Sequence, residues 1–166
     1  FTQALKTAMR LVLYEKILGT KEVYELIALT SLCTNNLYFF SKAISILEQC
    51  KNIPKHKRNA YETMAQCVFA NKEPLNQNES FYKCPNKHCD DEISEYDIYC
   101  PSCGINFDAC LISGASIITK EYFKCKQCKH KTLKIEAFKS KIKNCPLCHI
   151  SLIKKNMFQM ALNGSN

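Results

Sequence analysis

Three features of the sequence predict a mostly α chain, in which degenerate tetratricopeptide-like helical hairpins are followed by two small zinc-ribbon modules built on β-hairpin knuckles. Apolar residues recur at three- and four-residue steps through residues 1–70, the periodicity of helices with one buried face. Cys33 and Cys67 stand 34 residues apart, which is the tetratricopeptide period. From Cys84 onward eight cysteines fall into four close pairs, the spacing of thiolates that share an ion.

The helical elements read in order. Leu5, Ala8, Met9, Val12 and Leu13 make one face of a first helix that Gly19 ends, with Thr20 as the N-cap of the second. Val23, Leu26, Ile27, Leu29 and Thr30 continue the pattern, and Asn35-Asn36 breaks it. Leu37, Phe40, Ala43, Ile44 and Leu47 form a third helix, Lys51-Asn52-Ile53-Pro54 a turn, and Tyr61, Met64, Ala65, Val68 and Phe69 a fourth helix. In the 34-residue register Ser31 and Ala65 take the small position of successive first helices. Ala43, Leu47 and Cys50 take the small–large–small positions of a second helix. The signature Trp, Gly and Tyr are missing, so the repeat is degenerate, and a small helical bundle would show the same apolar faces. Two repeats are too few to stand alone, because each buries its face on its neighbours. A chain that begins with Phe1 also reads as a piece of a longer protein. Cys33, Cys50 and Cys67 are expected in the core, where free cysteine behaves as a small hydrophobe.

The polar stretch Asn71–Ser80, with Pro74 inside it, reads as a linker. The expected organisation is the end of a solenoid over 1–72, a linker over 73–80, an acidic zinc ribbon over 81–119, a basic zinc ribbon over 120–155 and a tail over 156–166. No stretch approaches the roughly 20 apolar residues of a membrane span. The four glycines form no phosphate-cradling pattern, which disfavours nucleotide-dependent enzymes.

The cysteine pairs carry the chemistry. Two residues between thiolates let both sulfurs meet one ion from a tight turn, and two such knuckles complete a tetrahedral site. Pairing along the sequence puts Cys84, Cys89, Cys100 and Cys103 on one Zn²⁺, and Cys125, Cys128, Cys145 and Cys148 on a second. The weak point is Cys84-Pro85-Asn86-Lys87-His88-Cys89, where His88 could replace Cys89; Cys89 is preferred. Cys110 is expected in the core, and His130 and His149 beside the thiolates or in solvent. Four protein ligands per ion leave no position for substrate, which is the structural arrangement. Twelve cysteines in Lys-rich surroundings thus read as metal ligands and core residues rather than as a disulfide framework.

Charge is uneven. The chain carries a formal +8, which eight thiolates and two Zn²⁺ would lower to +4. Residues 81–110 set Lys83 and Lys87 against Asp90, Asp91, Glu92, Glu95, Asp97 and Asp108, whereas residues 120–155 set eleven lysines against Glu121 and Glu136. Three functions fit these features. One is a zinc-stabilised scaffold for protein assembly. A second is nucleic-acid binding through the lysines, weakened by the scarcity of arginine (Arg10 and Arg58) and of interleaved aromatics beyond Tyr122, Phe123 and Phe138. The third is a RING-like ubiquitin ligase at the end of a solenoid tethering protein, in which the four pairs would alternate between two ions.

The order of motifs also carries a resemblance. Cys110-Leu111-Ile112-Ser113-Gly114-Ala115-Ser116-Ile117, then Glu121-Tyr122-Phe123-Lys124-Cys125-Lys126-Gln127-Cys128-Lys129-His130, then Cys145-Pro146-Leu147-Cys148-His149 resembles the C-terminus of the WD repeat-containing protein nineteen family, the 144 subunit of intraflagellar transport complex A. The helical stretch Val23–Cys33 is similar as well, while the Asn- and Lys-rich tail after Leu152 departs from the pattern. The resemblance implies a non-enzymatic subunit at the cilium, the basal body and the cytoplasm. Its implied partners are other complex A subunits and, indirectly, ciliary membrane-protein cargo and motor-driven trains. It implies neither a specific nucleic acid nor a membrane span.

Overall fold

The computed structural model describes residues 1–74 and 79–150. Expectations for part of the linker and for the tail therefore lie outside the described residues. The chain divides into two compact units, one ending at Glu79 and the other beginning at Ser80, and no described helix is long and apolar enough to cross a membrane.

The first unit is a succession of helices: α1 (Thr2–Arg10), α2 (Glu15–Leu18), α3 (Thr20–Cys33), α4 (Leu37–Gln49) and α5 (Lys55–Phe69). Its contacts follow the chain, with α1 packing on α3, α3 on α4 and α4 on α5. That succession is solenoid-like. The core gathers Ala8, Val23, Ile27, Ala28, Phe40, Ala43, Ile44, Leu47, Ile53 and Tyr61, and each large aliphatic or aromatic member contributes roughly 1.5–3 kcal/mol by leaving water. Ser31 is fully buried, as the small position requires. Ala43 and Leu47 are also buried and Cys50 is half-buried against them.

The break between α3 and α4 follows from two asparagines. Asn35 adopts φ 55°, its N–H donates to the Leu32 carbonyl, and the Asn36 N–H donates to the Ser31 carbonyl. This pair of bonds closes a helix through a left-handed residue, a conformation asparagine tolerates better than most. Asn36 then turns to the next helix, where its Oδ1 accepts from the Phe39 N–H at 3.2 Å. One dipeptide ends α3 and caps α4.

Three expectations are corrected. The first helix is not continuous, because Leu11–Tyr14 tighten into a 3₁₀ turn between α1 and α2. Thr20 is the first residue of α3 and not its cap; its Oγ1 donates instead to Glu15 Oε1 at 2.7 Å. Cys33 and Cys67 are exposed rather than core: the first ends α3, and the second lies on the side of α5 left in solvent.

The second unit is made of short hairpins: β1 (Phe81–Lys83) with β2 (Glu92–Ser94), β3 (Asp108–Ala109) with β4 (Ser116–Ile117), and β5 (Tyr122–Lys124) with β6 (Lys131–Leu133), followed by α6 (Lys134–Lys139). All three pairs are antiparallel. Two- and three-residue strands bury little, and Ile93 and Ile117 are the buried aliphatic side chains among the described residues of this unit. The β3–β4 hairpin, read in the sequence as part of the first ribbon, packs on β6. Leu111 N–H donates to the Lys131 carbonyl, and Lys131 pairs with Asp108 at 2.5 Å. The hairpin also touches the first ribbon: Ser116 Oγ donates to the Asp97 carbonyl, and Phe107 N–H to the Ile98 carbonyl.

Candidate metal centres

The tight cysteine turns of the second unit repeat one small backbone device. Cys100 N–H donates to the Ile105 carbonyl and Gly104 N–H to the Cys100 carbonyl, both at 2.9 Å. The same two bonds recur at Cys125 (with His130 and Lys129) and at Cys145 (with Ile150 and His149). The fifth residue of each turn must adopt positive φ to reverse the chain: Gly104 at 69°, Lys129 at 62° and His149 at 56°. Glycine does this without strain; lysine and histidine each accept roughly 1 kcal/mol of it. Cys84 and Cys89 form a wider turn, held by Cys84 N–H to the Asp91 carbonyl and Cys89 N–H to the Asn86 carbonyl.

These turns bring the thiols together in sequence order. Cys84, Cys89, Cys100 and Cys103 form one cluster, and Cys125, Cys128, Cys145 and Cys148 a second, the sulfurs of each lying within 4.8 Å of one another. Sγ–Sγ distances are 3.6 Å for Cys84–Cys103, 3.7 Å for Cys89–Cys100, 3.6 Å for Cys125–Cys148 and 3.7 Å for Cys128–Cys145. A disulfide needs about 2.05 Å. A tetrahedron with Zn–S of about 2.3 Å has an edge of about 3.8 Å, and the observed spacings sit close to it. His88 is exposed and outside the first cluster, which Cys89 completes. The alternating pairing that a RING requires is not the order in which these thiols meet.

Local donors prepare the sulfurs unequally. Burial pushes the Cys84 and Cys128 thiols up to about 12. The Ile105 N–H, and then the Asn86 side chain, pull Cys103 down to about 7. Burial opposes ionisation of Cys125, yet the N–H groups of Cys128 and Gln127 outweigh it and bring that thiol to about 7 as well. Each cluster thus offers one readily ionised sulfur, which would serve as a first ligand, and the remaining thiols would lose their protons as an ion bound. His130 is exposed, with Nδ1 lying 2.9 Å from the Cys128 carbonyl oxygen, and His149 serves through its backbone.

One turn escaped the sequence reading. Cys110 N–H donates to the Ala115 carbonyl and Gly114 N–H to the Cys110 carbonyl, with Gly114 at φ 70°. This is the knuckle fold again, with Ser113 where the second cysteine would stand. Ser113 Oγ accepts from the Ala115 N–H at 3.3 Å, the bond Cys103 takes from Ile105. Cys110 is buried as expected, and its Sγ accepts from the Leu133 N–H at 3.4 Å. The same turn serves here as a packing element that ties β3–β4 to β6. The signal was present as C-x2-S-G beside C-x2-C-G.

Comparison with known proteins agrees with this division. Residues 1–76 match the family model described as IFT121-like, TPR repeats. Residues 108–153 match the model described as IFT121, second zinc finger domain, which begins at the β3–β4 hairpin. WD repeat-containing protein 35 of Rattus norvegicus and of Mus musculus is 30% identical over 149 residues, covering 90% of this chain, and the Homo sapiens protein is 30% identical over 148 residues, covering 88%. The chain spans 11% of the length of these relatives. Both halves of the chain, repeats first and zinc finger second, are thus related to the IFT121 family, and this corrects the likeness to the 144 family drawn from the order of its knuckles.

Proposed function

We propose that this chain is a non-enzymatic, zinc-stabilised assembly module of an intraflagellar transport complex A subunit. The carrying observation is the closure of both cysteine clusters. Four thiols meet in each, so an ion held there has no coordination position left for water or substrate. Cys84, Cys89, Cys100 and Cys103 would hold one Zn²⁺, and Cys125, Cys128, Cys145 and Cys148 a second. Each ion would fix two knuckles that the small apolar interior cannot hold alone.

The setting follows from likeness to IFT121. The module would contact other complex A subunits and, through them, motor-driven trains and ciliary membrane-protein cargo. It would serve return-direction transport and cargo entry at the cilium, with further pools at the basal body and in the cytoplasm. The helical repeats would end near residue 72, followed by a linker over 73–80 and the first ribbon from 81. The basic ribbon is best drawn from Asp108, because its hairpin is bonded to β6. Specific nucleic-acid binding has no part in this reading.

The test uses the full-length subunit carrying Cys125→Ser and Cys128→Ser together. Loss of one zinc equivalent, with weakened co-purification of other complex A subunits and a reduced ciliary signal, is the expected result. Undiminished assembly and ciliary signal after the zinc is lost would overturn it.

A further inference from the structure

We infer that the Cys125–Cys128 knuckle is a docking site for an acidic protein segment, with a side-chain carboxylate seated among Lys124, Lys126 and Lys129. This deepens the protein-assembly reading of the same module and rests on it. The three lysines and Cys125 line a depression of about 150 Å³, and all three lysine side chains are exposed.

Their neighbours show what ligand this surface takes. Lys131 of β6 pairs with Asp108 at 2.5 Å and Lys134, the first residue of α6, with Glu121 at 2.9 Å, so this ribbon already binds two carboxylates of its own chain. Among the described residues no carboxylate is paired with Lys124 or Lys129, and residues 151–166 contain no Asp or Glu that could supply one. The excess is large: residues 120–150 hold nine lysines against Glu121 and Glu136, more than the −2 of a four-thiolate zinc centre neutralises. Lys129 is also held in place, since the turn's backbone bond to the Cys125 carbonyl fixes its residue at φ 62°.

Chemistry chooses among anionic partners. Single-stranded nucleic acid is held by aromatic stacking beside the charges, but the Tyr122 ring carries the Lys131 ammonium at 4.6 Å from its centroid. Duplex recognition needs a groove-entering helix or two-stranded ribbon, and the described elements near this surface are the six-residue α6 and the three-residue strands of β5–β6, both short for that task. A flexible acidic peptide needs neither. It requires several ammonium groups around one concave point, which is what the knuckle presents.

The experiment uses the zinc-loaded chain and a fluorescent Glu-rich unstructured peptide, with its Gln counterpart as control, at about 0.15 M salt. One variant carries Lys124→Gln, Lys126→Gln and Lys129→Gln. A second, of equal charge, carries Lys120→Gln, Lys139→Gln and Lys143→Gln. Zinc content is measured for both. The expected result is binding of the Glu peptide only, about 10-fold weaker in the knuckle variant and within about 2-fold of the parent in the other. Equal losses in both variants would mean net charge alone and would overturn the inference. So would failure of the Glu peptide to bind, or tighter binding of single-stranded RNA or of phosphatidate-containing vesicles. Concentration-dependent self-association abolished by the same knuckle variant, without peptide binding, would assign the site to the acidic ribbon of a second copy and overturn it too. If the knuckle variant lost the peptide but the full-length subunit failed to join other complex A subunits under any condition, the assembly reading would fall while this site stood.

Discussion

Replacing Cys145 by Ser removes a buried member of the second cysteine cluster, whose sulfur lies 3.7 Å from that of Cys128 and which is proposed to hold the second ion. The expected consequence is set by what else holds the second ribbon. Among the described residues from 108 to 150, Ile117 is the one buried aliphatic side chain, worth roughly 1.5–3 kcal/mol. A structural Zn²⁺ supplies roughly 10–16 kcal/mol of apparent binding free energy. The ion therefore outweighs the apolar interior severalfold, and a three-thiol site should not keep the ribbon folded. Loss should spread from β5–β6 to β3–β4, because Leu111 and Leu133 bond across that junction. The first cluster uses none of the lost ligands and should keep its ion. The helical core, with Phe40 and Leu47 fully buried, should also persist. Metal analysis under mild chelation should fall from two equivalents to one. Amide dispersion should be lost for residues 108–150, and helical circular dichroism should stay within experimental error of the parent. Retention of two equivalents, or collapse of the helical signal along with the ribbon, would refute the reasoning.

Three further outcomes are expected. Ser31 Oγ is buried without a hydrogen-bond partner among the described residues, so Ser31→Ala should stabilise the helical unit by up to about 1 kcal/mol in urea denaturation; destabilisation by that amount would mean the hydroxyl has a partner. Burial, with a hydrogen bond donated to Glu25, pushes the Tyr61 hydroxyl up to about 12. The fold thus favours the neutral phenol, whose contribution is full below about pH 10 and is lost as pH rises through about 12. Tyr61→Phe should cost about 1–2 kcal/mol at pH 8 and should reduce the alkaline loss relative to the parent; an unchanged difference from pH 8 to 12 would contradict this. Cys84, Cys89, Cys128 and Cys148 all have raised values without metal, so each site must release at least two protons on binding near neutrality. Zinc affinity should therefore fall by about 100-fold or more per pH unit on acidification, more steeply below pH 7 as Cys103 and Cys125 protonate. A competition titration showing a slope clearly below two decades per unit would refute that.

Much of this protein was legible in its sequence because the decisive signals are local. A C-x2-C turn specifies its own hydrogen bonds within six residues, and proximity along the chain then pairs Cys84 and Cys89 with Cys100 and Cys103. Helix positions were readable from the three- and four-residue apolar steps, and the Asn35-Asn36 boundary from the capping chemistry of asparagine. What the tertiary structure alone decided was longer in range. Whether Cys33 and Cys67 are core or surface depends on which helix covers each face, which periodicity does not encode. The allegiance of residues 108–117 depends on bonds from Cys110 and Leu111 to residues about twenty positions later, and no spacing rule reaches that far. Cys110 shows the difference most directly: its turn is the product of six adjacent residues, but its role as the packing knuckle of β6 exists only once Leu133 comes to rest against its sulfur.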